Sequence, residues 1–218
     1  MDEPRGVVWD LDGTLIDSGD AHWATWHAAL QAEGVALSRT QFDAGFGQRN
    51  DRFLRGLLGE DLSDADVARI SAAKEAAYRN IVRAEGVQLL PGAQAWLERL
   101  HAQGWRQALG SSAPRQNVDV IVEVLQLDRY LMATVSGDDV QRGKPDPQVF
   151  LLAAARIGVR PARCIVVEDA PVGIAAARNG GMRTIAVRTT HADLTGDLVV
   201  DTLDQLAATA FDQLVPIR

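Results

Sequence analysis

One short run near the N-terminus, Val7-Val8-Trp9-Asp10-Leu11-Asp12-Gly13-Thr14, constrains the chain more than any other stretch. An apolar run bounded by glycine reads as a buried strand, so the two carboxylates stand where the chain leaves a sheet through its C-terminal edge. Open α/β sheets bind their ligands at that edge. From Gly19 to about Gly86, however, no convincing alternating strand follows. The first strand must therefore find its neighbours in the second half of the chain.

The intervening segment reads as helical. Trp23, Trp26 and Leu30 share one helical face ended by Gly34, and Phe53, Leu54, Leu57 and Leu58 form a second stripe ended by Gly59. Ser63 is a suitable N-cap, with Asp64 and Asp66 in the first turn, for a helix carrying Val67, Ile70, Ala77 and Ile81. After Leu89-Leu90-Pro91-Gly92 the texture changes. Helices are predicted over 93–100, 118–125, 149–157 and 172–179, and strands over 105–109, 132–135, 164–167, 184–187 and 198–200. Strands alternating with helices of this length specify a parallel sheet covered on both faces. The fold class is therefore α/β, a Rossmann-like parallel sheet core with an inserted α-helical bundle as a cap. The expected core covers 1–16 and 88–218 and the cap 17–87, with crossings near Leu15 to Gly19 and Gly86 to Pro91.

Composition limits the function classes. Hydrophobic residues make up 47% of 218, enough for a large core, and Lys plus Arg total 22 against 29 for Asp plus Glu. A net charge of −7 argues against nonspecific nucleic-acid binding, so an anionic substrate needs local positive charge. No apolar run reaches membrane-spanning length and no secretory signal opens the chain, which implies a cytoplasmic protein with no membrane partner. Cys164 is the single cysteine, so an intrachain disulfide is impossible, and within Cys164-Ile165-Val166-Val167 it reads as a small buried apolar residue. All predicted apolar stripes can be buried within one chain, and a monomer is expected.

Three later stretches also put reactive side chains at strand ends. The 105–109 strand runs into Gly110-Ser111-Ser112-Ala113-Pro114. Arg142-Gly143-Lys144-Pro145-Asp146-Pro147 sets a lysine in a loop that two prolines hold extended before a helix. Ile165-Val166-Val167-Glu168-Asp169-Ala170 ends a strand in paired acids, with Gly173 beyond. Read singly, each has an ordinary explanation: a turn for Asp10 and Asp12, an N-cap for Ser111, Ser112 or Asp169, a solvated loop for Lys144. Together and in this order they resemble the four motifs of the haloacid dehalogenase-like hydrolases, a resemblance spanning Val7 to Met182.

The resemblance implies roles for these residues. Asp10 would be the nucleophile and Asp12 the general acid/base, with Ser111 and Lys144 binding the transferring phosphoryl group. A Mg²⁺ ion would be held by the side chains of Asp10 and Asp169, the backbone carbonyl of Asp12, and Glu168 directly or through water. Hard oxygen ligands without clustered His or Cys agree with Mg²⁺ rather than zinc. The phrase from Val166 to Ile174 is similar to the β-phosphoglucomutase and sugar-phosphate phosphatase branch. There, a histidine at the spacing of His22 lies at the cap entrance and holds the acid/base aspartate until substrate binds. Ala44-Gly45-Phe46-Gly47-Gln48-Arg49-Asn50-Asp51 occupies the substrate loop, where Arg49 would clasp a distal anion and Gln48, Asn50 and Ser112 would assist binding. That loop lacks the lysine, and the serine before the arginine, of the mutases.

The expected activity is a Mg²⁺-dependent phosphatase acting on a small phosphorylated metabolite, a sugar phosphate, through an aspartyl-phosphate. A β-phosphoglucomutase-like phosphomutase is the alternative. Retention of Asp10, Asp12, Lys144 and Asp169 argues against a noncatalytic scaffold, and Asp12 argues against dehalogenation. His27, His101 and His191 are expected to be surface or packing residues.

Overall fold

A computed structural model describes residues 3–217, so Met1, Asp2 and Arg218 of the expected core lie outside the described residues. Six parallel strands form one sheet in the order β5 (Ala133–Val135), β4 (Arg106–Gly110), β1 (Gly6–Trp9), β6 (Cys164–Glu168), β7 (Arg183–Val187) and β8 (Leu198–Val200). The early strand does join the late sheet: Val7 is paired with Gln107 on one side and Ile165 on the other. Because every strand runs the same way, the segments following β1, β4 and β6 leave from one edge.

Alternation along β1 sends its side chains to both faces. Val7 and Trp9 pack with residues of α5 (Ala93–Ala102), α6 (Arg115–Leu125) and α9 (Ala210–Leu214), among them Leu97, Ile121 and Phe211. Val8 packs on the other face with Phe150 and Ala153 of α7 (Gln148–Arg156) and Ala176 and Ala177 of α8 (Pro171–Asn179). Polar atoms inside the sheet are paired. Trp9 Nε1 donates to Gln107 Oε1 at 2.9 Å, and Gln107 Nε2 donates to Leu97 O at 2.9 Å. Cys164 is fully buried as expected, and burial pushes its thiol up to about 12.

The inserted segment is helical, as α1 (Gly19–Ala32), α2 (Arg39–Gly45), α3 (Asn50–Leu58) and α4 (Asp64–Glu85). Its own core gathers Trp26, Leu30, Leu37, Phe42, Phe53, Leu54, Val67 and Ile70. Ser63 caps α4, its Oγ accepting from Asp66 N at 3.1 Å. Two short strands the sequence reading lacked, β2 (Ile16–Asp17) and β3 (Gln88–Leu89), pair antiparallel where the chain leaves for the helices and returns. Two residues apiece carry no period to detect, and only their mutual pairing makes them strands.

Other differences are local. β4 begins at Arg106 rather than Trp105, because Trp105 N still bonds Leu100 O and sheet pairing starts with Arg106 N on Arg5 O. In α4 the buried face runs through Val67, Ile70, Lys74, Tyr78 and Val82, whereas Ala77, expected in the stripe, is exposed. Helix α9 has five residues, too few for an amphipathic signal. It nevertheless carries Phe211, whose ring centroid lies 4.8 Å from Trp96, 5.9 Å from Trp105 and 6.1 Å from Trp9. Phe211→Ala empties the centre of that aromatic cluster and should cost about 3–5 kcal/mol, read as a lower urea midpoint with an unchanged m-value.

Candidate active site

Asp10 continues the β1 pairing for one more bond, its N–H donating to Val167 O at 3.0 Å. This sets its carboxylate beside the end of β6. One carboxylate oxygen from each of Asp10, Glu168 and Asp169 lies within 4.8 Å of the other two, and all three residues are buried. Lys144 enters from the loop before α7, its ammonium donating to Glu168 Oε1 at 2.7 Å and to Asp10 Oδ1. One ammonium stands against three carboxyl groups, so with all three ionised the cluster carries two negative charges in excess, away from water. Burial holds Asp10 well above the ordinary carboxylate range, with Lys144 opposing and Glu168 and Asp169 adding. Burial and Glu168 push Asp169 up to about 7 against hydrogen bonds from Thr190 and Thr14. Burial lowers Lys144, yet the two carboxylates beside it raise it above its usual value overall. Buried hard oxygens with surplus negative charge suit a hard divalent cation, so the donor set fits Mg²⁺.

The acids are held in place from behind. Thr14 Oγ1 donates to Asp169 Oδ1 at 2.9 Å, Thr190 Oγ1 donates to Asp169 Oδ2, and Ala170 N donates to Glu168 Oε2 at 2.5 Å. Two glycines make the room. Gly13, at φ +81°, leaves space in which a Cβ would stand 2.2 Å from Asp169 Oδ2, and a Cβ on Gly173 would fall 1.6 Å from Glu168 Oε1. Neither Ser111 nor Asp169 is spent as a helix cap, because α6 begins after Pro114 and α8 after Ala170.

Asp12 faces a different set of partners. Its Oδ1 accepts from Ser18 Oγ at 2.6 Å and lies 3.1 Å from His22 Nε2, while His22 Nδ1 is 2.8 Å from Lys74 Nζ. An ammonium can only donate, so Nδ1 accepts and the imidazole proton resides on Nε2, directed at Asp12. The ring stacks on Tyr78 with centroids 4.0 Å apart. Burial and Lys74 hold His22 below its ordinary value, which favours this neutral tautomer. Burial alone would raise Asp12, but His22 and Ser18 bring it below the usual range. Two aspartates one residue apart are thus pushed in opposite directions by their separate surroundings.

The cleft between cap and core is lined by Asp10, Asp12, His22, Gln48, Asn50, Ser111, Ser112, Glu168 and Asp169. Ser111 is fixed by its N–H on Val135 O at 2.9 Å, and its Oγ accepts from Ala113 N at 3.0 Å. Lys144 stands directly behind Asp10. Arg49, expected to clasp a distal anion, sits at the start of α3 against the core. Its Nη1 donates to Gly137 O at 3.2 Å and Val140 O at 3.1 Å and its Nε donates to Asp51 Oδ1 at 3.2 Å, and the residue is not among those lining the cleft. Lys74 and Glu75, absent from the sequence expectations, line the cleft instead. A signal for Lys74 existed: it occupies the buried-face position between Ile70 and Tyr78, where an amphipathic helix would place an apolar residue. His27 and His101 are exposed, whereas His191 stands with Nδ1 3.2 Å from Asp169 O.

Gly173→Ala should leave the circular-dichroism spectrum intact while displacing Glu168. Divalent-cation affinity measured by titration calorimetry is expected to fall about 10–100-fold, the usual cost of disturbing a metal site's support.

The comparisons with known proteins agree with this geometry. Residues 4–181 match the haloacid dehalogenase-like hydrolase family. Fructose-1-phosphate phosphatase YqaB of Escherichia coli (strain K12) is 30% identical over 185 residues, spanning 84% of this chain and 96% of that protein. β-Phosphoglucomutase of Bacillus subtilis (strain 168) is 29% identical over 202 residues, spanning 90% and 88%. The crystal structure of a HAD hydrolase of family IA, variant 3, from Entamoeba histolytica HM-1:IMSS superposes with a TM-score of 0.86 at 25% identity, covering 96% of this chain and 98% of that one. The sheet order, the acids gathered at its carboxyl edge and these similarities converge on one conclusion: the chain belongs to the haloacid dehalogenase-like hydrolases.

Proposed function

We propose that the protein is a Mg²⁺-dependent phosphatase that hydrolyses a small phosphorylated metabolite, a sugar phosphate, as a cytoplasmic monomer. The observation carrying this reading is the convergence of Asp10, Lys144, Glu168 and Asp169 in one buried cluster, with Asp12 held beside it by Ser18 and His22. Asp10 Oδ attacks phosphorus and the bond to the leaving oxygen breaks, giving an aspartyl-phosphate. Ser111 and Lys144 bind the transferring oxygens. Asp12 must carry a proton to the departing alkoxide, which requires it to give up the bonds from Ser18 and His22 that favour its ionised form. In the second half it takes a proton from the water that hydrolyses the intermediate. Mg²⁺, held by Asp10, Glu168, Asp169 and the Asp12 carbonyl, would neutralise the charge that converges when a phosphate meets a carboxylate.

The cap, residues 17–87, closes on the core, residues 1–16 and 88–218, and the β2–β3 ribbon is its hinge. Gln48 and Asn50 meet the sugar end of the substrate, with Ser112 on the core side. A phosphomutase is the second reading, favoured by the His22–Asp12 bond and the β-phosphoglucomutase relative. Product analysis separates the two: β-glucose 1-phosphate with a bisphosphate activator yields glucose 6-phosphate from a mutase and inorganic phosphate from a phosphatase.

Asp10→Asn should lower p-nitrophenyl phosphate turnover by about a thousandfold or more with the fold intact; retained Mg²⁺-dependent phosphate release would refute the nucleophile assignment. Chelation should abolish the activity and Mg²⁺ restore it. The metal effect depends on pH with a definite sign. Between the ordinary carboxylate value and about 7, folded Asp169 keeps a proton that the unfolded chain has lost, so the metal-free protein loses stability as pH rises through that window. Mg²⁺ displaces that proton, and its thermal stabilisation should be larger at about pH 8 than at about pH 5.5.

A further inference from the structure

The cleft holds one buried ion pair that the chemistry above does not use. Among the described residues lining it, Lys74 is the only lysine or arginine. Its ammonium sits 2.8 Å from Glu75 Oε1 and 2.8 Å from His22 Nδ1, and Lys74 and Glu75 are only 2% and 4% exposed. Glu75 cannot swing aside to release it. Asn50 Nδ2 donates to Glu75 Oε1 at 2.8 Å, and Asn117 Nδ2, from core helix α6, donates to Oε2 at 2.5 Å. Arg79, one turn further along α4, donates to Asn117 Oδ1 at 2.9 Å, which prevents that amide from flipping.

Neighbouring cations are committed elsewhere. Arg49 pairs with Asp51, donates through Nη1 to Gly137 O and Val140 O, and does not line the cleft. Arg115, next to the lining residue Pro114, donates to Thr134 Oγ1 and pairs with Asp139. His22 is the neutral tautomer. The cap side of the cleft therefore offers a carboxylate and an ammonium whose charges cancel. A second phosphate placed there would bring a dianion out of water with no surplus cation to meet it, a cost that a neutral group does not incur. A hydroxyl meets no such barrier. The third N–H of Lys74 and the amide of Gln48 can serve it, as can oxygens of Glu75 that accept as well as repel.

We propose that Glu75, by neutralising Lys74, restricts this enzyme to hydroxyl-bearing monophosphates and excludes bisphosphates. The proposal rests on the phosphatase reading and narrows it. A mutase cycle that passes through a bisphosphate would meet the same barrier.

Matched pairs test it: fructose 1-phosphate against fructose 1,6-bisphosphate, glucose 6-phosphate against glucose 1,6-bisphosphate, and ribulose 5-phosphate against ribulose 1,5-bisphosphate. Released phosphate is measured with Mg²⁺ beside p-nitrophenyl phosphate. In the wild type the best monophosphate should exceed its bisphosphate in kcat/KM by about tenfold or more. Glu75→Gln should shrink that ratio several-fold by freeing the ammonium. Gln48→Lys, whose parent side chain makes only a 3.5 Å contact to Ala44 O, should do the same without touching the buried network and decides the matter if Glu75→Gln does not fold. A bisphosphate equal to or better than the best monophosphate overturns the proposal, as does a ratio unmoved by Gln48→Lys. Turnover of p-nitrophenyl phosphate with none of the sugar phosphates overturns it alone. No turnover of any ester removes the phosphatase reading as well.

Discussion

Parallel pairing of β1 with β4 on one side and β6 on the other is the constraint from which the rest follows. It brings Asp10 beside Glu168 and Asp169 although they are separated by more than half the chain. It also fixes the direction of each exit, so that Ser111 after β4 and the acids at the end of β6 leave through one edge with Asp10. A sheet buried on both faces resists local rearrangement, because Val7, Trp9 and Val8 each belong to a packed layer. The acids therefore stay crowded despite their mutual repulsion, and the rigidity of the sheet offsets a cluster that would disperse on a flexible loop.

The site divides into two electrostatic layers. The lower one, at the sheet edge, combines three carboxylates with Lys144 and is short of positive charge. The upper one, in the cap, combines Lys74 and Glu75 and is balanced. Asp12 and His22 stand between them, and the imidazole, accepting from Lys74 and donating to Asp12, links the layers. Under the proposed function, a phosphoryl group would be drawn to the layer able to recruit a cation, and a neutral hydroxylated head would suit the other.

The helical insertion is tied to the core by more than its two-stranded ribbon. Glu75 and Arg79, one turn apart on α4, grip the two ends of the Asn117 amide, and Arg49 reaches core carbonyls from the start of α3. These bonds span the interface between the insertion and the core, which is thereby held by polar contacts that water can replace. An apolar seam of similar size would lack such ready substitutes.

Much of this was legible in the sequence. Short apolar runs marked β1 and β6 because a buried strand tolerates little else, β4 showed itself less plainly through Trp105, Ala108 and Leu109, and the residues that follow, Asp10, Ser111 and Glu168-Asp169, announced themselves by type and position. The helical character of the insertion was equally plain in its stripes. What the sequence could not determine are relations between distant elements. Strands β2 and β3 exist only as a pair, the bonds from Arg49 to core carbonyls join residues far apart in the chain, and the identity of α4's buried face, with Lys74 and Glu75 on it, depends on which neighbours cover that helix. Periodicity and side-chain chemistry are local and can be read along the chain. The partner that satisfies a charge or hydrogen bond is nonlocal, and tertiary packing decided it.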